Sequence, residues 1–245
     1  MTNWLINLLG VGYTLAWSLS FYAQPFLLFR RKRSDGLSKE FTHLNTLGFA
    51  GYTIYSFVNR SIDPMAVSVE DIVFATHALI LCSITSFMAQ YYPSHGNNMK
   101  GWSKLFIVIS IILMPIVHFF MGYTKLISYL GILKAVISFI KYVPQAYMNF
   151  RRKKTCGWSI GNILLDITGA VLSFAQMFMT SIIYDTMKPF SNVPKLLLSL
   201  ESFSFDILFI TQHYCLYYDA TMAAYKAEKY GCIGETSPLI VSISQ

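Results

Sequence analysis

The sequence predicts an all-α membrane protein in which seven transmembrane helices form two parallel three-helix repeats joined by a linker helix. Three observations carry this prediction. Of the 245 residues, 54% are apolar and 13% are charged, whereas a soluble domain has about 25% charged residues. The charges cluster between seven apolar runs, each near the roughly 20 residues that span a bilayer. One segment of 18 residues recurs 121 positions later without a gap.

The apolar runs define the expected helices. They lack the alternation of a membrane β-barrel, and lipid offers no partner to an unpaired backbone group, so helices are expected. The predicted spans are residues 4–29, 41–58, 71–92, 104–123, 126–150, 159–184 and 196–218.

The recurring segment relates FYAQPFLLFRRKRSDGLS at 21–38 to YVPQAYMNFRRKKTCGWS at 142–159, with seven identical positions. A duplicated membrane unit usually places its site between the copies. The pairs at this offset include Gln24 with Gln145, Gly36 with Gly157, Asn45 with Asp166, and Gly48 with Gly169.

The third span of each copy is related as well, because Asp71-Ile72-x-Phe74-x-Thr76 matches Asp206-Ile207-x-Phe209-x-Thr211. The fourth span has no counterpart and is interpreted as a linker that gives both copies the same orientation. The predicted units are a first repeat at 1–92, a linker at 93–125, a second repeat at 126–218 and a cytosolic tail at 219–245.

Lysine and arginine predict the orientation. Of 19, thirteen lie in the turns at 30–40, 93–104 and 151–154 or in the tail, and four lie at the other end. The turns and the C-terminus are therefore expected in the cytosol and the N-terminus in a lumen. Asn59 begins the sequon Asn59-Arg60-Ser61 on the lumenal side, where glycosylation is expected. The net charge of +7 is interpreted as a topology signal, and no nucleic acid partner is predicted.

Ionisable residues inside a span are costly and are candidates for function. Lys134 and Lys141 are seven residues apart and share a helix face. Asn162 and Asp166 share a face of the next helix, and Asn45 is the repeat partner of Asp166. Such a pocket suits a small zwitterion, since the lysines can hold carboxylates and the other groups can hold ammonium. The structural alternative is an ion pair of Lys141 with Asp166 that fixes helix register.

The remaining polar residues in the spans carry weaker predictions. Burial disfavours the charged form of a carboxyl group, so Asp71, Asp166 and Asp206 are predicted to exchange protons. Glu201 is expected near the lumenal end of its helix, where snorkelling or a local cap would explain it. His77 and His213 lack metal-ligand spacing and are interpreted as packed or hydrogen-bonded.

A proline accompanies the glutamine of each copy, as Gln24-Pro25 and Pro144-Gln145. Proline inside a helix removes one backbone hydrogen bond, which predicts a kink and a hinge in each copy. No nucleophile–base pair or phosphate loop is found, so an enzyme is not predicted, and neither is a cofactor or a metal.

These residues resemble the PQ-loop transporters, and most closely the cystinosin family among them. The resemblance covers nearly the whole chain. Its blocks are WSLSFY at 17–22, LN at 44–45, Asp71 with Phe74 and His77, KYVPQAYMNF at 141–150, GWSIGNILLD at 157–166, and FD at 205–206 with QH at 212–213.

The resemblance implies a PQ-loop or SWEET-like fold and a proton-coupled symporter that exports L-cystine from the lysosome or vacuole by alternating access. The implied partners are L-cystine, protons and the lipid bilayer. The implied cystine contacts are Asn45, Lys134, Lys141, Tyr142, Asn162 and Asp166. The implied proton-linked acids are Asp71, Asp166 and Asp206.

The tail predicts the cellular location of the protein. Glu235-Thr236-Ser237-Pro238-Leu239-Ile240 resembles the acidic dileucine signal of plant-like members, which implies sorting adaptors and a lysosomal or vacuolar membrane. One residue departs from the family pattern, because Ala23 stands where the first motif has its proline.

Two other functions remain open. A PQ-loop exporter of cationic amino acids is disfavoured because Lys134 and Lys141 would repel its substrate. A seven-helix receptor of the same fold would show pH-dependent binding without flux.

Overall fold

The computed structural model describes residues 3–62, 69–94, 97–185 and 193–229. Within these ranges the chain is helical and contains no strand. A π-helical turn, Thr211–Leu216, joins the last two helices. The helices are α1 (Asn3–Arg31), α2 (Lys39–Ile62), α3 (Val69–Tyr91), α4 (Gly101–Arg152), α5 (Ile160–Ile183), α6 (Val193–Ile210) and α7 (Tyr218–Lys229).

The fourth and fifth predicted spans form one element, α4, of 52 residues. A straight helix of that length would measure about 78 Å, more than twice the roughly 30 Å hydrocarbon core of a bilayer. Gly122 interrupts it with φ 76° and ψ −179°, a conformation open to glycine. The result is a first arm, 101–121, and a second arm, 123–152.

Among the described residues, α1, α3, α4 and α5 are long and apolar enough to cross a membrane. Large apolar side chains point outward along the bundle, among them Phe87, Phe119 and Ile132. Continuous outward apolar surface on long helices is typical of a multi-pass membrane protein.

The helices pack in pairs that follow the sequence repeat. Helix α1 packs against α3 and α5, whereas α2 packs against α3 and α4, and α6 packs against α4 and α5. At an offset of 121 residues α1 corresponds to the second arm of α4 and α2 to α5. The α1–α5 contact therefore has its counterpart in the contact between α4 and α2.

Two repeat-related glycines allow these equivalent contacts. A Cβ atom at Gly48 would lie 2.9 Å from Cγ2 of Ile137 on α4. At Gly169 it would lie 2.4 Å from Cδ1 of Trp17 on α1. A side chain at either position would overlap the facing side chain, which would have to shift.

The turns that end the two repeated segments meet at one end of the bundle. This end also holds the turn before α4, and we call it the basic end (residues 30–40, 93–104 and 151–154). Gln24 donates a hydrogen bond to the carbonyl of Gly157 at 3.1 Å and accepts one from the amide of Ser159 at 2.8 Å. Gln145 binds the other turn in the same way, donating to the carbonyl of Gly36 at 2.8 Å and accepting from the amide of Ser38 at 2.6 Å. Each glutamine thus holds the turn of the opposite copy.

The two turns touch through their backbones. Gly36 and Gly157 have φ of 88° and 97°, a region that favours glycine. A Cβ atom at Gly36 would lie 2.0 Å from the carbonyl oxygen of Cys156, and one at Gly157 would lie 1.9 Å from that of Asp35. Glycine is required at both positions for this contact.

Helix α7, which lies in the predicted tail, crosses the basic end. The Thr221 hydroxyl accepts a hydrogen bond from the amide of Thr155 at 3.0 Å. Glu228 forms an ion pair with Arg31 at the end of α1. The helix therefore contacts both copies of the repeat.

Candidate functional site

Lys141 lies inside the bundle on the second arm of α4 and is 5% exposed. Its ammonium group donates a hydrogen bond to Oδ1 of Asn45 at 3.3 Å and lies 4.5 Å from the centre of the Tyr142 ring. The Asn45 amide donates in turn to the sulfur of Cys82 at 3.1 Å. These contacts join α4 to α2 and α3.

Asp166 occupies the neighbouring helix, α5. Its Oδ2 accepts a hydrogen bond from the Tyr142 hydroxyl at 3.0 Å, and its backbone carbonyl accepts one from Nε1 of Trp17 at 3.2 Å. Within the described ranges neither of the two ion pairs involves Lys141 or Asp166. The direct Lys141–Asp166 pair considered from the sequence is therefore not formed.

Lys134 lies two turns before Lys141 on the same arm of α4. Its ammonium group is 3.7 Å from the centre of the Phe49 ring. The nitrogen is buried and has no hydrogen-bond partner among the described residues. Aromatic faces attract cations but do not replace the hydrogen bonds of an ammonium group, so Lys134 retains its capacity to donate.

Two acids of α6 complete the cluster. Glu201 and Asp206 are 3% and 0% exposed. Oε1 of Glu201 and both carboxyl oxygens of Asp206 lack hydrogen-bond partners in the part of the chain that the structure describes. Both acids lie close enough to Lys141 and Asp166 to interact electrostatically.

The prediction that Glu201 snorkels or caps its helix is wrong. Helix α6 begins at Val193, three residues earlier than predicted, which places Glu201 two turns inside it. Its side chain is buried against the charged cluster instead of reaching the helix end. Sequence reasoning thus missed an acid of the site, although its charge inside a span was the signal that could have found it.

Asn162 lies one turn before Asp166 in the first turn of α5. Its backbone amide donates to the Ser159 hydroxyl at 3.3 Å, which caps the helix. The side chain is partly exposed, and its amide makes no hydrogen bond to a described residue. It remains available to a ligand.

Several predicted residues fall outside the cluster or outside the described residues. Asp71 belongs to the first turn of α3, but its side chain lies outside the described part of the structure, as do Glu235, Leu239 and Ile240 of the tail. Asn59 lies near the end of α2 and donates to the Tyr55 hydroxyl at 3.3 Å. Pro25 and Pro144 lie inside α1 and α4.

The two histidines are hydrogen-bonded, as predicted. Nε2 of His77 lies 2.8 Å from the Tyr22 hydroxyl, and Nδ1 of buried His213 lies 2.6 Å from the Thr155 hydroxyl.

The site therefore combines two ammonium groups, three carboxyl groups and two amides on four helices. Many of these groups have spare hydrogen-bonding capacity in a water-poor interior. Such groups are retained at a cost in stability and mark binding or ion pathways in membrane proteins. The described arrangement suits a small molecule that carries both charges.

Comparison with known proteins identifies the family. The PQ loop repeat matches residues 5–65 and 126–183. A "Cystinosin homolog" from Dictyostelium discoideum is 41% identical over 240 residues, which cover 89% of this chain and 84% of that protein. The chain belongs to the cystinosin family. A second "Cystinosin homolog", from Arabidopsis thaliana, is 35% identical over 89% of this chain and 90% of that protein.

A more distant relative of this cystinosin-family chain comes from Saccharomyces cerevisiae and is named "Cystine transporter". It is 25% identical over 85% of the chain and 92% of its own length. The two PQ loop matches contain the two glutamines that hold the basic turns, Gln24 and Gln145. The second match also contains Lys134, Lys141 and Asp166.

Proposed function

We propose that this cystinosin-family protein is a proton-coupled symporter that moves L-cystine from the lysosome or vacuole lumen to the cytosol by alternating access. The single observation that carries the proposal is the convergence of Lys134, Lys141 and Asp166, with free capacity, in the bundle interior. The yeast relative named for cystine transport supports the substrate.

Cystine matches the charges of this site. It carries two carboxylates and two ammonium groups. Lys134 and Lys141 would bind carboxylates, because an ammonium–carboxylate hydrogen bond is about twice as strong as a neutral one. Asp166 and the amides of Asn45 and Asn162 would accept ammonium groups, while Tyr142 orients Asp166. A cationic amino acid has only one carboxylate, so it would leave one of the two lysines without an anionic partner.

The acids supply a route for protons. Asp206 has no hydrogen-bond partner for either oxygen among the described residues, and a buried carboxylate without a partner is strongly disfavoured. We therefore assign proton uptake to Asp206 and to Asp166, with Asp71 as the counterpart of Asp206 in the first repeat. Because Asp166 also binds substrate in this scheme, its protonation state would couple the two fluxes.

The architecture that fits this cycle is two three-helix repeats, 1–92 and 126–218, joined by the linker 93–125. The equivalent α1–α5 and α4–α2 contacts support it, since a two-fold related interface can rock about a central site. Pro25 and Pro144 would serve as hinges. The basic end and the tail 219–245 would face the cytosol, and Asn59 the lumen, where it would be glycosylated. The segment Glu235 to Ile240 would bind sorting adaptors.

Flux measurements with reconstituted protein test the proposal. Cystine should enter liposomes faster when the outside is acidic, and an inward proton current should accompany it. Asp166→Asn should abolish acid-driven uptake. Asp219→Asn is the matched control, because Asp219 lies in α7 outside the bundle. Equal cystine uptake with and without a pH gradient would rule out proton coupling. A current evoked by lysine or arginine but not by cystine would indicate an exporter of cationic amino acids. Cystine binding without flux would indicate a receptor.

A further inference from the structure

A polar cavity of about 520 Å³ lies at the basic end between the start of α2, the end of α3 and the start of α4. It shares no residue with the buried charged site. Its lining is basic and amide-rich, and it contains no acid among the described residues. The lining residues are Lys39, His43, Gln90, Asn98, Met99 and Lys104.

Lys39 is the distinctive residue of this cavity. Its side chain is only 9% exposed, yet its ammonium group makes no ion pair or hydrogen bond within the described ranges. The adjacent acid is already engaged, because Glu40 accepts hydrogen bonds from the Ser38 hydroxyl at 2.9 Å and from the amide of Lys100 at 3.0 Å. The ammonium group of Lys39 therefore lines the cavity without a counter-charge, and an anion in the cavity would supply one.

Further donors surround the same space. Nδ1 of His43 donates to the carbonyl of Lys39 at 2.7 Å, so Nε2 of the neutral ring accepts a hydrogen bond from the amide of Gln90 at 3.4 Å, and that amide keeps its second hydrogen for a ligand. Lys104, in the first turns of α4, adds a second ammonium group to the lining.

We propose that this cavity binds a phosphate-bearing anion. Two lysines and the side-chain amides of Gln90 and Asn98 suit a group with a double negative charge and several acceptor oxygens. The volume lies within the range of about 300–1,000 Å³ typical of small-molecule sites, so it accommodates a phosphorylated headgroup as well as a free phosphate. The lipid headgroup and the soluble anion share this chemistry, and experiment separates them.

The test uses the full chain in nanodiscs and follows thermal unfolding. The first experiment compares phosphatidylcholine discs with discs that also contain 5 mol% phosphatidylinositol 4-phosphate. The second experiment titrates inorganic phosphate into phosphatidylcholine discs. Stabilisation by either probe is expected for the wild-type chain, and Lys39→Gln should weaken its apparent affinity about tenfold or more.

Two further variants keep the outcome decisive. Lys104→Gln removes an exposed lysine of the cavity, should fold normally and should also weaken binding. Lys153→Gln is the control, because this exposed lysine lies at the same end over the Phe150 ring and outside the cavity. A response to the lipid only identifies a headgroup site, and a response to phosphate identifies a soluble ligand. No stabilisation by either probe, or equal stabilisation of the control and of both cavity variants, would overturn the proposal.

Discussion

Tyr142 and Asp166 are joined by a hydrogen bond of 3.0 Å in which the hydroxyl donates to Oδ2 of the carboxylate. The bond connects the second arm of α4 to α5 across the centre of the bundle. The ring of the same tyrosine lies under the ammonium group of Lys141. Tyr142 therefore touches both charges that a zwitterionic substrate would meet.

Tyr142→Phe should weaken cystine transport and leave the fold intact. The ring remains packed between Phe41 and Phe205, but Asp166 loses its donor. Hydrogen bonds to charged groups contribute about 1.5–3 kcal/mol, so we expect a loss of roughly tenfold or more in transport rate at low cystine. Tyr147→Phe is the control, since Tyr147 is exposed and, among the described residues, its hydroxyl has one hydrogen bond, which it accepts from Arg151 at 3.4 Å. Equal cystine transport rates for the two variants would show that Tyr142 has no role in the site.

Lys134→Met should make the protein more stable and less active. The substitution replaces a buried ammonium group that has no hydrogen-bond partner among the described residues with an apolar side chain of similar length, which relieves the cost of an unpaired charge. The unfolding temperature should rise by about 2–4 °C for each kcal/mol gained, while stabilisation by added cystine should disappear. A variant that is less stable yet still stabilised by cystine would show that Lys134 is structural.

Asp206→Asn should separate cystine binding from the pH gradient. Asparagine keeps the shape of the side chain but cannot take up a proton. We expect cystine to exchange across the membrane at a rate that no longer responds to an acidic lumen, and the proton current should vanish. The measurement is counterflow of labelled cystine at equal and unequal pH. If the variant kept the proton current, another acid would be responsible for coupling.

Gly157→Ala should disrupt the basic end. The added Cβ atom would overlap the carbonyl oxygen of Asp35, and φ of 97° disfavours any L side chain. We expect a cost of about 2 kcal/mol or more in the free energy of unfolding, together with faster hydrogen exchange at Ser159, whose amide binds Gln24.

Gly101→Ala serves as the comparison for that variant, because a Cβ atom there meets nothing within 4 Å. It should leave stability within about 0.5 kcal/mol of the wild type. If both alanine variants behaved alike, the backbone contact between the two basic turns would not contribute to stability.

Much of the site was predictable because charges inside apolar spans are few. Lys134, Lys141 and Asp166 stand out against a sequence that is 13% charged, and periodicity places the two lysines on one face. Glu201 was not recognised as a site residue because its depth in the membrane depends on where α6 begins, and helix boundaries are the least certain part of a prediction from sequence. The role of Cys82 as an acceptor for Asn45 had no sequence signal, since it arises from the packing of α2 on α3.

The repeat illustrates the same limit. The sequence showed that Gln24 and Gln145 correspond, and it suggested a hinge from their prolines. It could not show that each glutamine bonds the turn of the other copy, because partners 133 and 107 residues apart are chosen only when the helices pack. Helix α7, with its ion pair to Arg31, was likewise absent from the expectations for the tail.

The sequence by itself determined the helical class, the duplicated segment and most of the ionisable groups of the site, because hydropathy, identity and charge are local properties of the chain. Tertiary structure alone decided which charges pair. It placed Tyr142 in contact with both Lys141 and Asp166, left Lys134 and Asp206 without hydrogen-bond partners among the described residues, and brought the two glycine turns into contact. These outcomes depend on distances between helices, which pairwise packing sets and no single segment encodes.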